Sequence, residues 1–298
     1  MFDLHLTRLP DHLPDLQEAI EDSVRRRVAL PDERAVTLST MALEIDLSGA
    51  RMEVEPSDKS KLEPPRLAGA AEQTMNLARL RVEADPVHLV DADGTTADAT
   101  LHVDGTDVAF AIGPAKRPGT YAMVPTDGAV TVRSGISEPQ MMKLLNSQAR
   151  RASAEKGVTL SSFEVDVSTP DPQTVLLRGS VSGKKKVALF SAPFEIHFTA
   201  DVRVEPSATG LQARIIDLQL DGEGTLMSML LSMFQSRIDQ FKAEPVPLDH
   251  LLEAAGVADM AVTEVAVNMD RNQQPARMTL EAHLAGRRTA TEASGPTL

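Results

Sequence analysis

The stretch Val36-Thr37-Leu38-Ser39 reappears in the sequence as Val158-Thr159-Leu160-Ser161, and Arg-Val-Glu at residues 81–83 reappears at residues 203–205. Both pairs have the same offset, because 158 minus 36 and 203 minus 81 are each 122. A β-rich unit that occurs twice extends a core and supplies surface or cavity rather than chemistry. The repeat therefore predicts a binding scaffold and not an enzyme.

The apolar pattern between these anchors also matches, including a slip in phase after its second apolar residue. The matching positions are Val36, Leu38, Met41, Leu43 and Ile45 in the first copy, and Val158, Leu160, Phe163, Val165 and Val167 in the second. A length prior of about 150 residues per domain agrees with two copies. We predict a degenerate first repeat over residues 1–135, a second repeat over residues 136–286, and a disordered tail over residues 287–298, where no apolar pattern remains.

Composition limits the classes of partner. The 298 residues carry a formal net charge of −13, which argues against nucleic acid, because its phosphates require a basic surface. Cysteine is absent, which excludes disulfides and thiolate metal sites in any compartment. The first 27 residues have no apolar core of a signal peptide. We expect a soluble, cytoplasmic protein if the chain is complete, and a periplasmic or exported one if an N-terminal signal has been removed.

Two helices are indicated by apolar residues at helical spacing. The first begins at Pro14 and carries an apolar stripe formed by Leu16, Ile20, Val24 and Val28. Each helix has arginines near its end, at residues 25–27 and 150–151, which we interpret as a favourable interaction with the helix dipole.

The second helix has a start signal at residues 137–140, where Ser137 is predicted to cap the helix and Gln140 to reach back to it. Its buried face is predicted to include Met141, Leu144 and Leu145.

Long strands follow each helix. The clearest spans residues 194–204, where Phe194, Ile196 and Phe198 alternate with polar residues. The apolar pattern of residues 211–220 changes phase between Ile215 and Ile216, which predicts a β-bulge. Turns of an antiparallel meander are predicted at residues 93–94, 104–105, 183–186 and 221–222, because each contains glycine beside a polar residue.

A further helix is predicted over residues 225–241, with methionine and leucine around most of its circumference. Methionine is flexible and polarisable and is common on surfaces that accept varied apolar partners. The same side chains would also suit an ordinary core packed against a sheet. The sequence thus predicts an α+β fold in which long, curved antiparallel sheets wrap around long hydrophobic helices, in two tandem related halves.

Catalytic motifs are missing from the sequence. It contains no G-x-S-x-G elbow, phosphate-binding loop, dinucleotide fingerprint or H-E-x-x-H, and its seven histidines are dispersed. Three pairs, Glu195/His197, His102/Asp104 and Glu281/His283, have a spacing that some metal sites use, but a solvated strand face is the favoured interpretation. Residues 91–98 resemble a calcium loop without its closing glutamate, so we predict a hairpin turn there. We predict no catalytic residue, no metal site and no cofactor.

The order of elements in residues 136–286 resembles the tubular lipid-binding (TULIP) superfamily, in particular its small bacterial lipid carriers. The resemblance rests on residues 136–138 opening a helix, residues 158–160 starting the strands, the meander through Leu220, and the proline-bounded segment around residues 241–252. It implies a curved sheet around a long helix that holds acyl chains without catalysis. The implied ligand-binding residues are Met141, Leu144, Leu145, Phe194, Ile196, Phe198, Met227, Leu230, Leu231, Met233, Phe234 and Ile238.

Two functions remain open from the sequence. The first is non-enzymatic binding or carriage of a lipid or fatty-acid-like ligand in an apolar groove between sheet and helix. The second is a structural or protein-interaction module with a solid core, which binds a partner through its polar sheet face or strand edges. The lysines at residues 184–186 fit either a transient membrane contact or a lysine turn that protects a strand edge.

Overall fold

The computed structural model describes residues 2–6, 8–31, 35–54, 65–187, 190–207, 210–223, 245–248, 257 and 260–286. Of this part of the chain, 63% is strand and 14% is helix. The two helices are α1 (Leu13–Arg27) and α2 (Glu138–Glu155). The strands are β1 (Phe2–Leu4), β2 (Val36–Leu38), β3 (Ala42–Asp46), β4 (Arg51–Glu53), β5 (Gln73–Val90), β6 (Thr96–Pro114), β7 (Tyr121–Ser137), β8 (Val158–Asp171), β9 (Thr174–Val187), β10 (Phe190–Pro206), β11 (Leu211–Glu223), β12 (Val246–Pro247), β13 (Ala261–Asp270) and β14 (Arg277–Ala285).

The predicted α+β class, with sheets wrapped around long hydrophobic helices, is wrong. The described chain is mostly β, and its two helices each bury one side only, since α1 buries a stripe that includes Leu16, Ile20 and Val24. The strands account for this difference, because β5 to β11 contain 13 to 19 residues each, whereas α1 adds only its one apolar stripe to the core of the larger sheet. The predicted helix over residues 225–241 and the predicted disordered tail lie outside the described residues.

The larger sheet has nine strands. Its order is β13-β14-β7-β6-β5-β3-β2, with β1 beside β7 and β4 beside β5. The strands β3 and β4 run parallel to β5, and the other pairs are antiparallel. Strands β13 and β14 therefore join the sheet built from residues 2–137. The main core lies against this sheet, and Leu4, Ile20, Leu43, Phe110 and Met123 are among its fully buried side chains.

The smaller sheet is the antiparallel meander β12-β11-β10-β9-β8. It meets the larger sheet where the β8–β9 turn reaches the outer edge of β13. The amide of Val267 donates to the Pro172 carbonyl (2.6 Å), and the amide of Met269 donates to Thr169 Oγ1 (2.8 Å). These bonds satisfy backbone donors that an outer strand otherwise leaves unpaired.

The repeated stretch folds differently in its two copies. In the first copy the phase slip is a turn, and β2 folds back on β3 with Val36 opposite Ile45. The Ser39 hydroxyl accepts hydrogen bonds from the amides of Met41 and Ala42, which closes this turn. In the second copy the slip is a bulge between Leu160 and Ser162 within the single strand β8.

The bulge predicted in residues 211–220 is confirmed. In the pairing of β10 with β11, Asp201 lies opposite Asp217 and Val202 lies opposite Ile215, so Ile216 has no partner. This extra residue explains the change of phase in the sequence. It also leaves the Ile216 side chain 53% exposed.

One of the four predicted turns is confirmed. Residues 93–94 form the β5–β6 turn, in which the Gly94 amide donates to the Asp91 carbonyl. The other three predictions are wrong, since residues 104–105, 183–186 and 221–222 lie inside β6, β9 and β11. Glycine in those strands permits close approach by a neighbour instead of a turn.

Helix α1 buries the apolar stripe that was predicted for it. Helix α2 begins where it was predicted to begin, but without the predicted capping hydrogen bonds. Ser137 occupies the N-cap position but makes no capping hydrogen bond with its side chain. Gln140 Oε1 accepts from the Asp98 amide on β6 (3.3 Å), so the predicted reciprocal cap is wrong. The helix also continues to Glu155, so Arg151 lies within it and pairs with Asp91.

Candidate functional site

The five-stranded sheet has a continuous apolar area on one of its faces, and we call this area the apolar face. Every second residue of β10 from Phe194 to Val204 points to it, and directly paired residues of neighbouring strands share the same face. The apolar face consists of Leu160, Phe163, Val165 and Val167 on β8; Val175, Leu177, Gly179, Val181 and Gly183 on β9; Phe194, Ile196, Phe198, Ala200, Val202 and Val204 on β10; and Ala213, Ile215, Leu218, Leu220 and Gly222 on β11.

Two phenylalanine rings lie across glycines of the adjacent strand. Gly183 pairs with Phe194 and Gly179 pairs with Phe198. A Cβ atom placed on Gly179 would lie 2.7 Å from Phe198 Cζ, and one on Gly183 would lie 3.1 Å from Phe194 Cζ. The glycines thus let large rings lie flat over the sheet, which keeps the apolar face continuous between β9 and β10.

The apolar face is buried at both of its ends and half-buried between them; we call the end at Val167 the closed end, and at the opposite end Phe194 is 8% exposed. At the closed end Val167 is 1% exposed and packs in a small core with Met141 of α2 and Met269 of β13. Between the two ends, Phe163, Val181, Ile196, Phe198 and Leu220 are half-buried. Exposed contiguous apolar patches on proteins mark binding surfaces.

The predicted ligand-binding residues fall into three groups. The structure brings Phe194, Ile196 and Phe198 together on the apolar face. It places Met141 and Leu145 in the small core at the closed end, and it buries Leu144 on the same helix. The remaining six, Met227, Leu230, Leu231, Met233, Phe234 and Ile238, lie outside the described residues.

Sequence reasoning assigned no site role to the residues of β8, β9 and β11 that complete the face. Phe163, Val181 and Leu220 lie beside the predicted residues of β10. A usable signal was present, because Gly179 and Gly183 have the same spacing of four residues as the two phenylalanines that cover them. That match predicts the register of β9 against β10.

The histidine–carboxylate pairs lie on outer, solvated surfaces. Glu195 and His197 are 3.5 Å apart with side chains more than half exposed, and His283 lies 3.3 Å from Glu281. The hydrogen bond from Arg133 to Glu281 lowers the pKa of that carboxyl. Among the described residues, no group of three possible ligands could hold a metal ion.

Residues 91–98, where a hairpin turn was predicted, contain the β5–β6 turn, and this turn anchors α2. The Asp91 side chain is fully buried and accepts hydrogen bonds from Ser147 Oγ (2.8 Å) and Arg151 Nη1 (2.9 Å). Ser147 also bonds to Asp93, and this hydrogen bond is the main cause that lowers the pKa of Asp93. These acidic side chains therefore bind protein donors.

Strands β2 and β13, at the two ends of the order of the nine-stranded sheet, have partners for outward amides. On β2, the amides of Val36 and Leu38 donate to Glu21 (2.8 Å) and Gln17 (3.0 Å) of α1. A shallow cleft of about 640 Å³ runs along this acidic side of α1. A partner strand that paired with β2 or β13 would have to displace these hydrogen bonds. This argues against the two edges as binding sites for a protein partner.

The prediction that the lysines at residues 184–186 form a turn and protect a strand edge is also wrong. Lys184 and Lys185 lie inside β9, with β8 on one side and β10 on the other, so they protect no strand edge. No helix in the described part of the chain has the length and apolar character to cross a membrane.

The fold and the site define a mostly β protein of two joined sheets with a partly uncovered apolar face. Searches against protein families, curated protein sequences and solved structures find no match to the chain.

Proposed function

We propose that this protein binds lipids or other acyl-chain ligands on the apolar face of the five-stranded sheet, without catalysis. The observation that carries the proposal is the face itself, which has only apolar residues and glycine on four neighbouring strands and is half-buried between its two ends. The resemblance to the tubular lipid-binding superfamily points to the same ligand class and is part of the proposal.

The free energy gained by burying methylene groups favours ligands with long acyl chains. Removing a methylene from water contributes about 0.8 kcal/mol, so ten buried methylenes contribute about 8 kcal/mol. Association itself costs about 4–15 kcal/mol of lost translational and rotational freedom. Short chains would therefore bind weakly, and a ligand needs a long chain to bind well.

The first test is native mass spectrometry of freshly purified protein, followed by organic extraction and lipid analysis. Bound lipid or fatty acid at a defined stoichiometry is the expected result. A ligand-free mass, together with failure to take up a fluorescent fatty acid, would instead favour an interaction module whose apolar face is covered by a protein partner.

The second test places a charge on the face. Ile196→Glu should reduce uptake of a fluorescent fatty acid at least about tenfold, because an unpaired carboxylate on an apolar surface opposes ligand burial. His197→Glu is the matched control, since His197 is the next residue, is exposed and points to the opposite face. Unchanged uptake by a folded Ile196→Glu variant, with folding checked by circular dichroism, would show that the ligand lies elsewhere.

A further inference from the structure

The outer edge of β11 extends well beyond the strand that pairs with it. Among the described residues, only β12 pairs with this side of β11, and it reaches only Gln212 and Ala213. The rest of the edge, residues 214–223, is about 33 Å long at about 3.3 Å per residue. Strand edges of this length can pair with the edge of another chain, so the backbone groups along β11 matter for self-association.

Three backbone amides of β11 point to this outer side. On β10, the Val204 amide donates to the Gln173 carbonyl, on the β9 side of the strand. Since every second amide of a strand points the same way, the amides of the even-numbered residues of β10 point away from β11. In antiparallel pairing the amides of their direct partners then point away from β10. These partners are Leu218, Leu220 and Gly222.

Two of the three outward amides are bound by aspartate side chains of the same strand. The Leu218 amide donates to Asp217 Oδ1 (2.9 Å), and the Gly222 amide donates to Asp221 Oδ1 (2.8 Å). Gln219 Nε2 donates to Asp217 Oδ2 (2.9 Å), which helps to hold that carboxylate in place. Carboxylates therefore occupy donors that a partner strand would need, and they place negative charge along the edge.

The same edge is complementary to itself. In a two-fold antiparallel pairing centred on Leu220, Leu218 of one copy lies opposite Gly222 of the other, and all three outward amides have facing carbonyls. Directly opposite residues lie on the same face of a sheet, so the apolar faces of both copies would form one continuous surface. Pairing of this kind would join the apolar faces of two molecules.

We propose that Asp217 and Asp221 protect the outer edge of β11 from pairing with β11 of a second copy, because their carboxylates occupy the outward amides. The inference goes beyond the proposed function, since it holds with or without a ligand on the apolar face. It gives the smaller sheet a protection that the larger sheet receives at β2 from the side chains of α1.

The experiment measures self-association of the full-length protein by size-exclusion chromatography with light scattering. The double variant Asp217→Ala/Asp221→Ala should shift toward twice the molar mass of the parent protein as its concentration rises. Asp221→Ala alone changes an exposed side chain and should shift in the same direction to a smaller extent, which keeps the test valid if the double variant does not fold.

Two further double variants separate hydrogen bonding from charge. Asp217→Asn/Asp221→Asn keeps a side-chain acceptor for each amide and should have the molar mass of the parent protein. Asp104→Ala/Glu195→Ala is the matched control, since it removes two negative charges from exposed positions on strands that have a neighbour on both sides. It should also behave like the parent protein.

A single cysteine locates the contact, because the chain has no cysteine of its own. Opposed Cα atoms in a hydrogen-bonded antiparallel pair are about 5.5 Å apart, which suits a disulfide. Leu220→Cys in the alanine double variant should therefore form a disulfide-linked dimer. The same substitution in the parent protein should form little of this dimer under the same oxidising conditions.

Three results would overturn the inference. They are a parent-like molar mass of the folded alanine variants, association of the asparagine or control variant as strong as that of the alanine double variant, and equal cross-linking of Leu220→Cys in both backgrounds. None of these measurements involves a ligand, so each of these results would leave the proposed function in place.

Discussion

Asp91 attaches α2 to the β5–β6 turn. Its carboxylate is fully buried at the β5–β6 turn and is bound by Ser147 and by Arg151 on the helix. Asp98 lies at the other side of the same hairpin, where its bond to His88 (2.7 Å) is exposed to solvent. The two aspartates therefore differ in burial while sharing their chemistry and their hairpin.

Asp91→Ala should lower the free energy of unfolding by about 3 kcal/mol, because it leaves buried donors without their acceptor. Asp98→Ala should lower it by less than about 1 kcal/mol, as exposed ion pairs do. Urea unfolding followed by circular dichroism measures both values. Similar losses in the two variants would show that burial at residue 91 has no special energetic role.

The sequence predicts the strands well, but it does not predict which strands pair with each other. Alternation in residues 194–204 and the phase change at Ile216 predicted β10 and the bulge of β11, because both patterns are local. Pairing between distant strands leaves no local pattern. The same phase slip became a hairpin turn in one copy and a bulge in the other, so the repeated sequence did not determine its own pairing.

Glycine was the main source of wrong element boundaries. A glycine beside a polar residue is typical of a turn, yet the glycines of β9 serve to admit Phe194 and Phe198 from β10. Only the partner strand distinguishes these two roles. For the candidate site, sequence therefore predicted the residues of one strand and not the face that four strands form.

This role of glycine gives a prediction for β9. Gly179→Ala should lower the free energy of unfolding by about 3 kcal/mol, the upper end of overpacking effects, because its Cβ would lie 2.2 Å from the Glu164 carbonyl and 2.7 Å from Phe198 Cζ. Gly69→Ala is the control, since no atom lies within 4 Å of its Cβ. Chemical denaturation compares the two, and a neutral Gly179→Ala would contradict the close approach of the ring.

The larger sheet joins the two predicted repeats, because β14 near the end of the described chain pairs with β7 in its middle. All nine residues of β14 pair with β7, from Arg277 opposite Ser137 to Ala285 opposite Ala129. On the outer side of β14, Val265 and Val267 of β13 belong to the main core with α1 and β5. The boundary predicted at residue 135 thus separates strands that share one sheet and one core.

A fragment of residues 1–135 should therefore fail to fold as a monomer. Without β13 and β14 it would expose the edge of β7 and lose the core side chains Val262, Val265, Val267 and Leu284, which are at most 9% exposed in the full chain. Each of these side chains contributes about 1.5–3 kcal/mol when it is buried. The four together contribute about 6–12 kcal/mol, which is comparable with the whole free energy of unfolding of a domain, about 5–15 kcal/mol. Size-exclusion chromatography of the fragment should show aggregates, and co-expression with residues 136–298 should restore a soluble complex. A monomeric fragment with cooperative unfolding would mean that the first repeat is an independent domain and that β14 only covers its edge.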